Sequence, residues 1–202
     1  MLSTRQILHP MPKRAIRIPV PDTSQQTDST CGASCLQAVC KYYGVGPDDE
    51  WQFARALDMD HRVGSHAFQI IRAAHRWGLR SRAYPSMTTT DLRRELRHRH
   101  PVLLMMQAWG EETYRGRKRW RRDYRDHWKD GHWAVAIGYS REGFFFEDPS
   151  LQAVRGYLSE KDLNSRWRDT GPQNVRMPNY GLALWHPRHR QSAYTSWAEK
   201  IR

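Results

Sequence analysis

Residues 131–148 read GHWAVAIGYSREGFFFED, and this stretch contains two short apolar runs joined by a polar turn. Continuous apolar runs of this length, bounded by turn residues, are typical of buried strands, and two in succession predict a β-hairpin. Residues 102–108 (VLLMMQA), after Pro101, predict a further buried strand, and residues 153–158 and 181–186 predict edge strands. We therefore expect an antiparallel sheet in the second half of the chain.

The chain before this sheet region has helical spacing. In residues 30–43 (TCGASCLQAVCKYY), apolar side chains recur every three or four positions, and Gly44 marks the end of the helix. Similar patterns predict helices at 49–57, 66–77 and 91–99, and a short helix at 159–167 among the later strands. Helices followed by strands predict an α+β fold in which helices and sheet occupy separate halves.

A length of 202 residues suits one domain with a hydrophobic core. The Pro-rich residues 1–24 predict an extended N-terminal arm, residues 25–187 the globular domain, and residues 188–202 a basic C-terminal helix. Residues 110–130 interrupt the strand region and are predicted to be a basic insertion.

Basic residues dominate the charge, with 33 Lys and Arg against 21 Asp and Glu and a formal net charge of +12. Such a balance fits an acidic partner such as nucleic acid, an anionic membrane surface or an acidic peptide, and it also fits a solvated basic surface. Residues 115–129 carry eight Arg or Lys against two acids. On a helix, Trp120, Tyr124 and Trp128 would form one aromatic stripe, either docking a phosphate backbone or packing onto the domain.

Three cysteines, Cys31, Cys35 and Cys40, lie within ten residues, which is not the spacing of a disulfide framework. A reducing compartment fits them better. Their spacing on one helix does not match a zinc knuckle, and no phosphate-binding glycine loop is present, so we predict no metal and no cofactor. The N-terminus has no apolar signal core and no stretch could span a membrane, so we expect a cytoplasmic protein, or one exported without a Sec signal.

Cys31 lies at the first turn of the predicted helix, where free backbone N–H groups and the helix dipole favour a thiolate. Gly32 follows it, so no bulky side chain shields the sulfur. Cys35 and Cys40 fall in mid-helix on the apolar face and are expected to be core residues. A lone cysteine is more often structural than reactive, so the interpretation of Cys31 depends on its neighbours.

His132 opens one strand of the predicted hairpin and Asp148 closes the other, so both lie near the same end of it. A carboxylate there can hold one imidazole nitrogen while the other nitrogen faces a thiol, as a nucleophile–base–orienter triad requires. Simple hairpin register puts Asp148 opposite Val135, so a bulge, twist or side-chain reach must bring it to His132. Glu147 is the alternative orienter, although strand alternation puts it on the opposite face.

Gln25 lies six residues before Cys31, in the extended segment that leads into the helix. Its side-chain amide and the backbone N–H of Cys31 together could supply two donors to an oxyanion. The adjacent Gln26 is the alternative donor.

These motifs together resemble the C39-like branch of the papain-like cysteine peptidases. In that branch a Gln lies six residues before a Cys-Gly pair, a Gly-His pair opens a strand, and an Asp-Pro pair follows about sixteen residues later, as they do here. The resemblance implies a papain-like fold, with 25–187 as the catalytic domain and peptides or proteins as substrates. It also implies that Gln25 stabilises the oxyanion, Cys31 attacks, His132 acts as base and then acid, and Asp148 orients His132.

The sequence also departs from that branch. Many members are leader-cleaving domains fused to an export transporter and cut after a double glycine, whereas no transporter segment is present here. Thr30 replaces an acidic residue that is frequent in the transporter-linked members, and the insertion at 110–130 has no counterpart that we recognise. We therefore expect a free-standing peptidase. The competing hypothesis is a binding module, in which 115–129 contacts nucleic acid or an acidic partner on a retired papain-like scaffold.

Overall fold

The structure is a computed structural model that describes residues 15–108, 111–114, 117–120, 124, 126–152 and 154–188. In this part of the chain, none of the helices is long and apolar enough to cross a membrane. The helices are α1 (Cys31–Tyr43), α2 (Glu50–Leu57), α3 (Ala67–Arg76), α4 (Thr89–Arg97) and α5 (Glu160–Arg166). The strands are β1 (Ile16–Arg17), β2 (Arg80–Tyr84), β3 (Val102–Gln107), β4 (Glu111–Tyr114), β5 (Arg117–Trp120), β6 (Gly131–Tyr139), β7 (Gly143–Glu147), β8 (Gly156–Ser159), β9 (Arg168–Thr170), β10 (Arg176–Pro178) and β11 (Gly181–Trp185).

The five helices predicted between residues 30 and 167 are all present, with shifted ends. The helix expected at 91–99 begins at Thr89, because Thr88 and Asp91 form a reciprocal capping box that fixes its first turn. Helix α1 ends at Gly44, whose φ of 68° is in the left-handed region that glycine adopts without strain. The fold is therefore the expected α+β arrangement.

The main sheet has seven antiparallel strands. Its order is β2-β11-β3-β6-β7-β8, and β1 pairs with the far end of β6, beyond β3. Strands β3, β6 and β7 are almost continuously buried, as their apolar runs predicted. Helix α1 packs with every residue from Cys31 to Cys40 buried, so its first residue is held where the sheet and the helical half meet.

A β-bulge interrupts the hairpin of β6 and β7. Tyr139 pairs with Phe144 near the turn, but Val135 pairs with Glu147, so one residue of β6, Ile137, is extra. The backbone oxygen of Ile137 accepts a hydrogen bond from the N–H of Ile18 at 2.7 Å. Past the bulge, the register therefore differs by one residue from that of a regular hairpin.

Several sequence predictions need correction. Residues 181–185 are not an edge strand, because β11 lies between β2 and β3. The edge strand β2 was not predicted; its RSRAY sequence is polar and mostly exposed, so it has no apolar alternation. The short strands β1, β9 and β10 were also missed.

The helix that would have aligned Trp120, Tyr124 and Trp128 is likewise absent at residues 117–120. Residues 117–120 pair with 111–114 as the antiparallel strands β5 and β4, and this pairing satisfies backbone groups that a helix would otherwise use. Tyr124 is nevertheless buried, with the Arg166 guanidinium 4.2 Å from its ring centroid. Residues 1–14 of the predicted arm and 189–202 of the predicted C-terminal helix lie outside the described residues.

Candidate active site

A cavity of about 510 Å³ opens where the tip of α1 faces the start of β6. Both Cys31 and His132 line it. Its other walls come from the segment before α1, the loop before α3, the end of the basic insertion and strand β9. These walls are polar and include Thr27, Asp28, Ser29, His61, Arg62, Ser65, His66, Trp128, Lys129, Asp169 and Thr170. Two residues of the predicted insertion, Trp128 and Lys129, are thus part of the cavity wall.

Cys31 is the first residue of α1, and only 7% of its surface is exposed, on the side of the cavity. The helix tip is packed closely here: a β-carbon at Gly32 would lie 2.9 Å from the β-carbon of Ser65 and 3.2 Å from the Trp133 ring. Trp133 in turn donates a hydrogen bond from its indole N–H to the Ser65 carbonyl at 2.9 Å. The backbone of the helix tip, which carries Cys31, is therefore closely packed against Ser65 and Trp133.

His132 is 2% exposed and lies between Cys31 and Asp148. Its Nε2 donates a hydrogen bond to Asp148 Oδ1 at 2.8 Å, which leaves Nδ1 for the hydrogen bond that joins the ring to the Cys31 sulfur. Burial by itself lowers the pKa of His132. The hydrogen bonds and negative charges of Asp148 and Cys31 outweigh that penalty and raise the pKa to about 10. The geometry therefore favours a charged imidazolium beside the sulfur.

Asp148 is held by more than His132. Its Oδ1 also accepts hydrogen bonds from the Ser150 backbone N–H at 3.0 Å and from the Ser150 hydroxyl at 2.7 Å. Burial tends to raise the pKa of Asp148, but the hydrogen bond and charge of His132 and the two Ser150 bonds lower it overall. The carboxylate is thus kept ionised and in one orientation.

The structure does not place Glu147, the alternative orienter, beside His132. Glu147 is fully buried on the other face of β7, where its Oε1 accepts from the backbone N–H of Thr23 at 2.9 Å and Oε2 pairs with Arg155. Burial raises the pKa of Glu147 to about 7, even though these donors act to lower it. Glu147 ties the N-terminal segment to the sheet and has no contact with His132 among the described interactions.

The structure brings Gln25 close to the site but not into contact with Cys31. The backbone N–H of Gln25 donates to the Pro149 carbonyl at 2.9 Å, directly after Asp148, and its side-chain Nε2 donates to the Thr27 carbonyl at 3.0 Å. The Gln26 side chain points elsewhere, accepting from the indole N–H of Trp51 at 2.9 Å. Of the two candidate donors, Gln26 therefore has its side chain directed toward Trp51 of α2.

Cys35 and Cys40 are core residues, as predicted, and neither is exposed. Cys35 Sγ donates to the Trp133 carbonyl at 3.2 Å. Burial raises the pKa of both thiols, and for Cys35 the negative charge on Cys31 adds to the effect. Of the three thiols, Cys31 is therefore the one that can react.

Sequence reasoning missed Asp169, a carboxylate in the cavity wall beside Gly131. No spacing or apolar pattern marks the RWRDTG stretch around it, and the strand that carries it, β9, was not predicted. Gln107, at the end of β3, donates from its side chain to Asp169 Oδ1 at 3.2 Å. Only the tertiary fold brings these residues together.

Within the described residues, Glu95, His98 and His100 have potential metal-ligating atoms within 4.8 Å of one another. The oxygens of Glu95 already accept from Arg82, Tyr84 and His100, and the Arg82 guanidinium brings a positive charge to 2.7 Å. Two of these three residues, Glu95 and His100, are therefore already hydrogen-bonded to each other, and the adjacent Arg82 cation opposes a metal ion.

A family model described as the Peptidase_C39 like family matches residues 17–175. Among solved structures, a C39-like peptidase from Bacillus anthracis shares 15% identity with a TM-score of 0.59, over 82% of this chain and 94% of the other. The peptidase domain of Streptococcus ComA, a bi-functional ABC transporter involved in quorum sensing, shares 16% identity with a TM-score of 0.55, over 81% and 94%.

A double glycine motif protease from an AMS/PCAT transporter, solved with its leader peptide, shares 19% identity with a TM-score of 0.55, over 83% and 92%. No curated protein matches the chain significantly. At 15%, 16% and 19% sequence identity, these structural similarities establish the fold alone.

Proposed function

The chain belongs to the peptidase C39-like family, and from that premise we propose that it is a cysteine peptidase acting through Cys31, His132 and Asp148. The observation that carries the proposal is the hydrogen-bonded series from the Cys31 sulfur through the buried His132 ring to Asp148, facing a cavity. Nucleophile, base and orienting acid in this order are the groups that acyl transfer to a thiol requires.

In the proposed reaction, the Cys31 thiolate attacks the carbonyl carbon of a peptide bond. The carbonyl π electrons move to oxygen, and the His132 imidazolium gives its proton to the leaving nitrogen as the C–N bond breaks. A thioester to Cys31 remains. Neutral His132 then takes a proton from water, the resulting hydroxide adds to the thioester, and thiolate leaves, which restores the imidazolium–thiolate pair.

Two donors are assigned to the oxyanion: the backbone N–H of Cys31, at the open N-terminus of α1, and the side chain of Gln25. The Gln25 amide nitrogen has two hydrogens, and its hydrogen bond to the Thr27 carbonyl uses one of them. The second hydrogen is the one we assign to the developing negative charge.

A peptide is the proposed substrate, and one structural neighbour was solved with a leader peptide. The fold is shared with transporter-linked domains and with a C39-like Bacillus peptidase, so the double-glycine cleavage site of the former is not carried over. Three free thiols in the described structure fit a reducing, cytoplasmic environment.

The test is a peptide-library cleavage assay read by mass spectrometry, comparing the wild type with Cys31→Ala. We expect cleavage by the wild type and none above background by Cys31→Ala, since the thioester cannot form. In parallel, iodoacetamide at about pH 6 should alkylate Cys31 much faster than Cys35 or Cys40, whose thiols are buried. Equal, slow labelling of the three thiols, together with no cleavage, would contradict the proposal.

A further inference from the structure

Asp169 lies in the wall of the cavity on strand β9, directly over the backbone of Gly131, which precedes His132. A β-carbon at Gly131 would lie 2.4 Å from Asp169 Oδ2 and 2.5 Å from Oδ1. The carboxylate can therefore occupy this place only because residue 131 has no side chain. The proposed mechanism uses neither Asp169 nor Gly131.

One side of this carboxylate is held firmly. Its Oδ1 accepts from the Thr170 backbone N–H at 2.8 Å and from the side-chain amide of Gln107 at 3.2 Å. Gln107 is fully buried and is fixed in turn, because its Oε1 accepts from the backbone N–H of Asp130 at 3.1 Å. Asp169 is thus placed by a chain of hydrogen bonds from β3.

The other oxygen, Oδ2, accepts no hydrogen bond from the residues that the structure describes, and no described salt bridge includes Asp169. Burial raises the pKa of Asp169 to about 6, with only partial relief from the Thr170 N–H, Gln107 and the charge on His132. Above that pH the cavity wall holds a charged carboxylate with one oxygen unpaired among the described residues, a state that a cation from outside would stabilise.

We infer that Asp169 is a specificity-determining residue that binds a positively charged amine or guanidinium group of the substrate beside the scissile bond. The inference rests on the proposed peptidase function insofar as the bound group belongs to a peptide substrate. The anionic subsite itself rests only on the geometry of Asp169. Two sources of the cation have the same chemistry: a Lys or Arg side chain, and the free α-amine of a peptide that enters with its N-terminus in the cavity.

The first arm of the test measures cleavage preference for the wild type, Asp169→Asn and Asp28→Asn. Asparagine keeps the size of Asp169 and the acceptor for Thr170, and Asp28 is an exposed acid in the same cavity, so its variant makes a matched change in charge. The wild type should favour Lys or Arg over norleucine at one position, or free over acetylated N-termini, by about tenfold. Asp169→Asn should lose this preference and still cleave neutral peptides, and Asp28→Asn should keep it.

The second arm does not depend on peptide cleavage. It compares the rates at which Cys31 reacts with two thiol reagents, the cationic 2-ammonioethyl methanethiosulfonate and the neutral methyl methanethiosulfonate. Each rate is divided by the rate of the same reagent with a small free thiol. The corrected ratio should favour the cation in the wild type, fall about fivefold or more in Asp169→Asn, and stay nearly unchanged in Asp28→Asn. Cys31→Ala supplies the blank.

The two arms separate the two proposals. If the enzyme cleaves peptides but Asp169→Asn keeps the basic preference, or none exists, the anionic subsite is wrong and the peptidase stands. If no peptide is cleaved but the reagent ratio falls in Asp169→Asn, the subsite stands and the peptidase proposal fails. If Asp169→Asn does not fold, the wild-type ratio decides, and a value no higher than that of a free thiol overturns the inference.

Discussion

A buried imidazole normally loses its proton, because burial disfavours the charged form. His132 reverses that expectation: although it is almost fully enclosed, Asp148 and Cys31 raise its pKa to about 10. In the proposed mechanism, the proton that the leaving amine needs is thus available over the whole neutral range. The single residue responsible for most of this reversal is Asp148.

The Asp148→Asn variant tests that role. An amide cannot supply the negative charge that raises the pKa of His132, so the imidazolium should lose its proton at a lower pH. The alkaline limb of the pH profile for Cys31 alkylation should therefore move to lower pH, and kcat/KM should fall by roughly a hundredfold or more. Circular dichroism controls for folding, and an alkaline limb that does not move would contradict the assignment.

Gln25 and Gln26 offer a matched pair of variants for the oxyanion site. Gln25→Ala should lower kcat by about a hundredfold with little change in KM, since the lost donor acts mainly on the transition state. Gln26→Ala removes instead an acceptor for the Trp51 indole and should leave kcat nearly unchanged. Steady-state kinetics on one good library peptide make the comparison, and equal losses would argue against Gln25 as the donor.

At the scale of elements, the site depends on how closely α1 approaches the loop before α3 and strand β6. Gly32→Ala would place a β-carbon 2.9 Å from Ser65, so the helix tip must shift. The better helix propensity of alanine, about 1 kcal/mol, should offset part of the strain, so we expect a larger loss of Cys31 reactivity than of stability. Alkylation rates and thermal melts measure both, with Lys41→Ala at the other end of α1 as control.

Counting along the sequence located the elements of the site but not their register. From the turn, a regular hairpin puts Asp148 opposite Val135 and hence on the face away from His132. The extra residue at Ile137 shifts the pairing by one, so that Asp148 falls beside Ala134 and on the same face as His132. The bulge is bonded to Ile18 of the N-terminal arm, a long-range contact that no local pattern reveals.

Apolar runs and helix periodicity predicted the elements that build the core, because those elements bury a continuous face. The missed strands β2, β9 and β10 are short or polar, and their pairing depends on neighbours from distant parts of the chain. Asp169 was invisible for the same reason. Cys31, His132 and Asp148 could be chosen because each lies at the end of a strongly patterned element.

At the scale of the whole molecule, the fold joins the helical half and the sheet through one core, and residues 15–24 of the predicted arm are part of it. Ile18 and Val20 are buried, and β1 extends the sheet. The domain boundary at residue 24 therefore remains a prediction from composition, and the packing of residues 15–24 does not mark it. The basic segment 115–129 gains no support as a nucleic-acid site from β5, the strand described within it.

The net charge of +12 should make stability depend on salt. Like charges repel in the compact state, and ions screen that repulsion more than they weaken partly buried pairs such as Arg155 with Glu147. We expect the melting temperature to rise by a few degrees between low salt and about 0.3 M sodium chloride at neutral pH. A fall over this range would mean that surface ion pairs outweigh the general repulsion.

The segment from Val20 to Gln25 is fastened to the sheet by Arg155, Glu147 and Pro149, and it ends on the proposed oxyanion donor. A proteolytic nick after Thr23, followed by loss of the leading fragment, would remove one anchor of the segment that carries this donor and leave Glu147 without its Thr23 partner. Trimming of the leading segment should then lower the proposed Cys31-dependent cleavage, while the Cys31 thiol and the His132 imidazole stay in the chain.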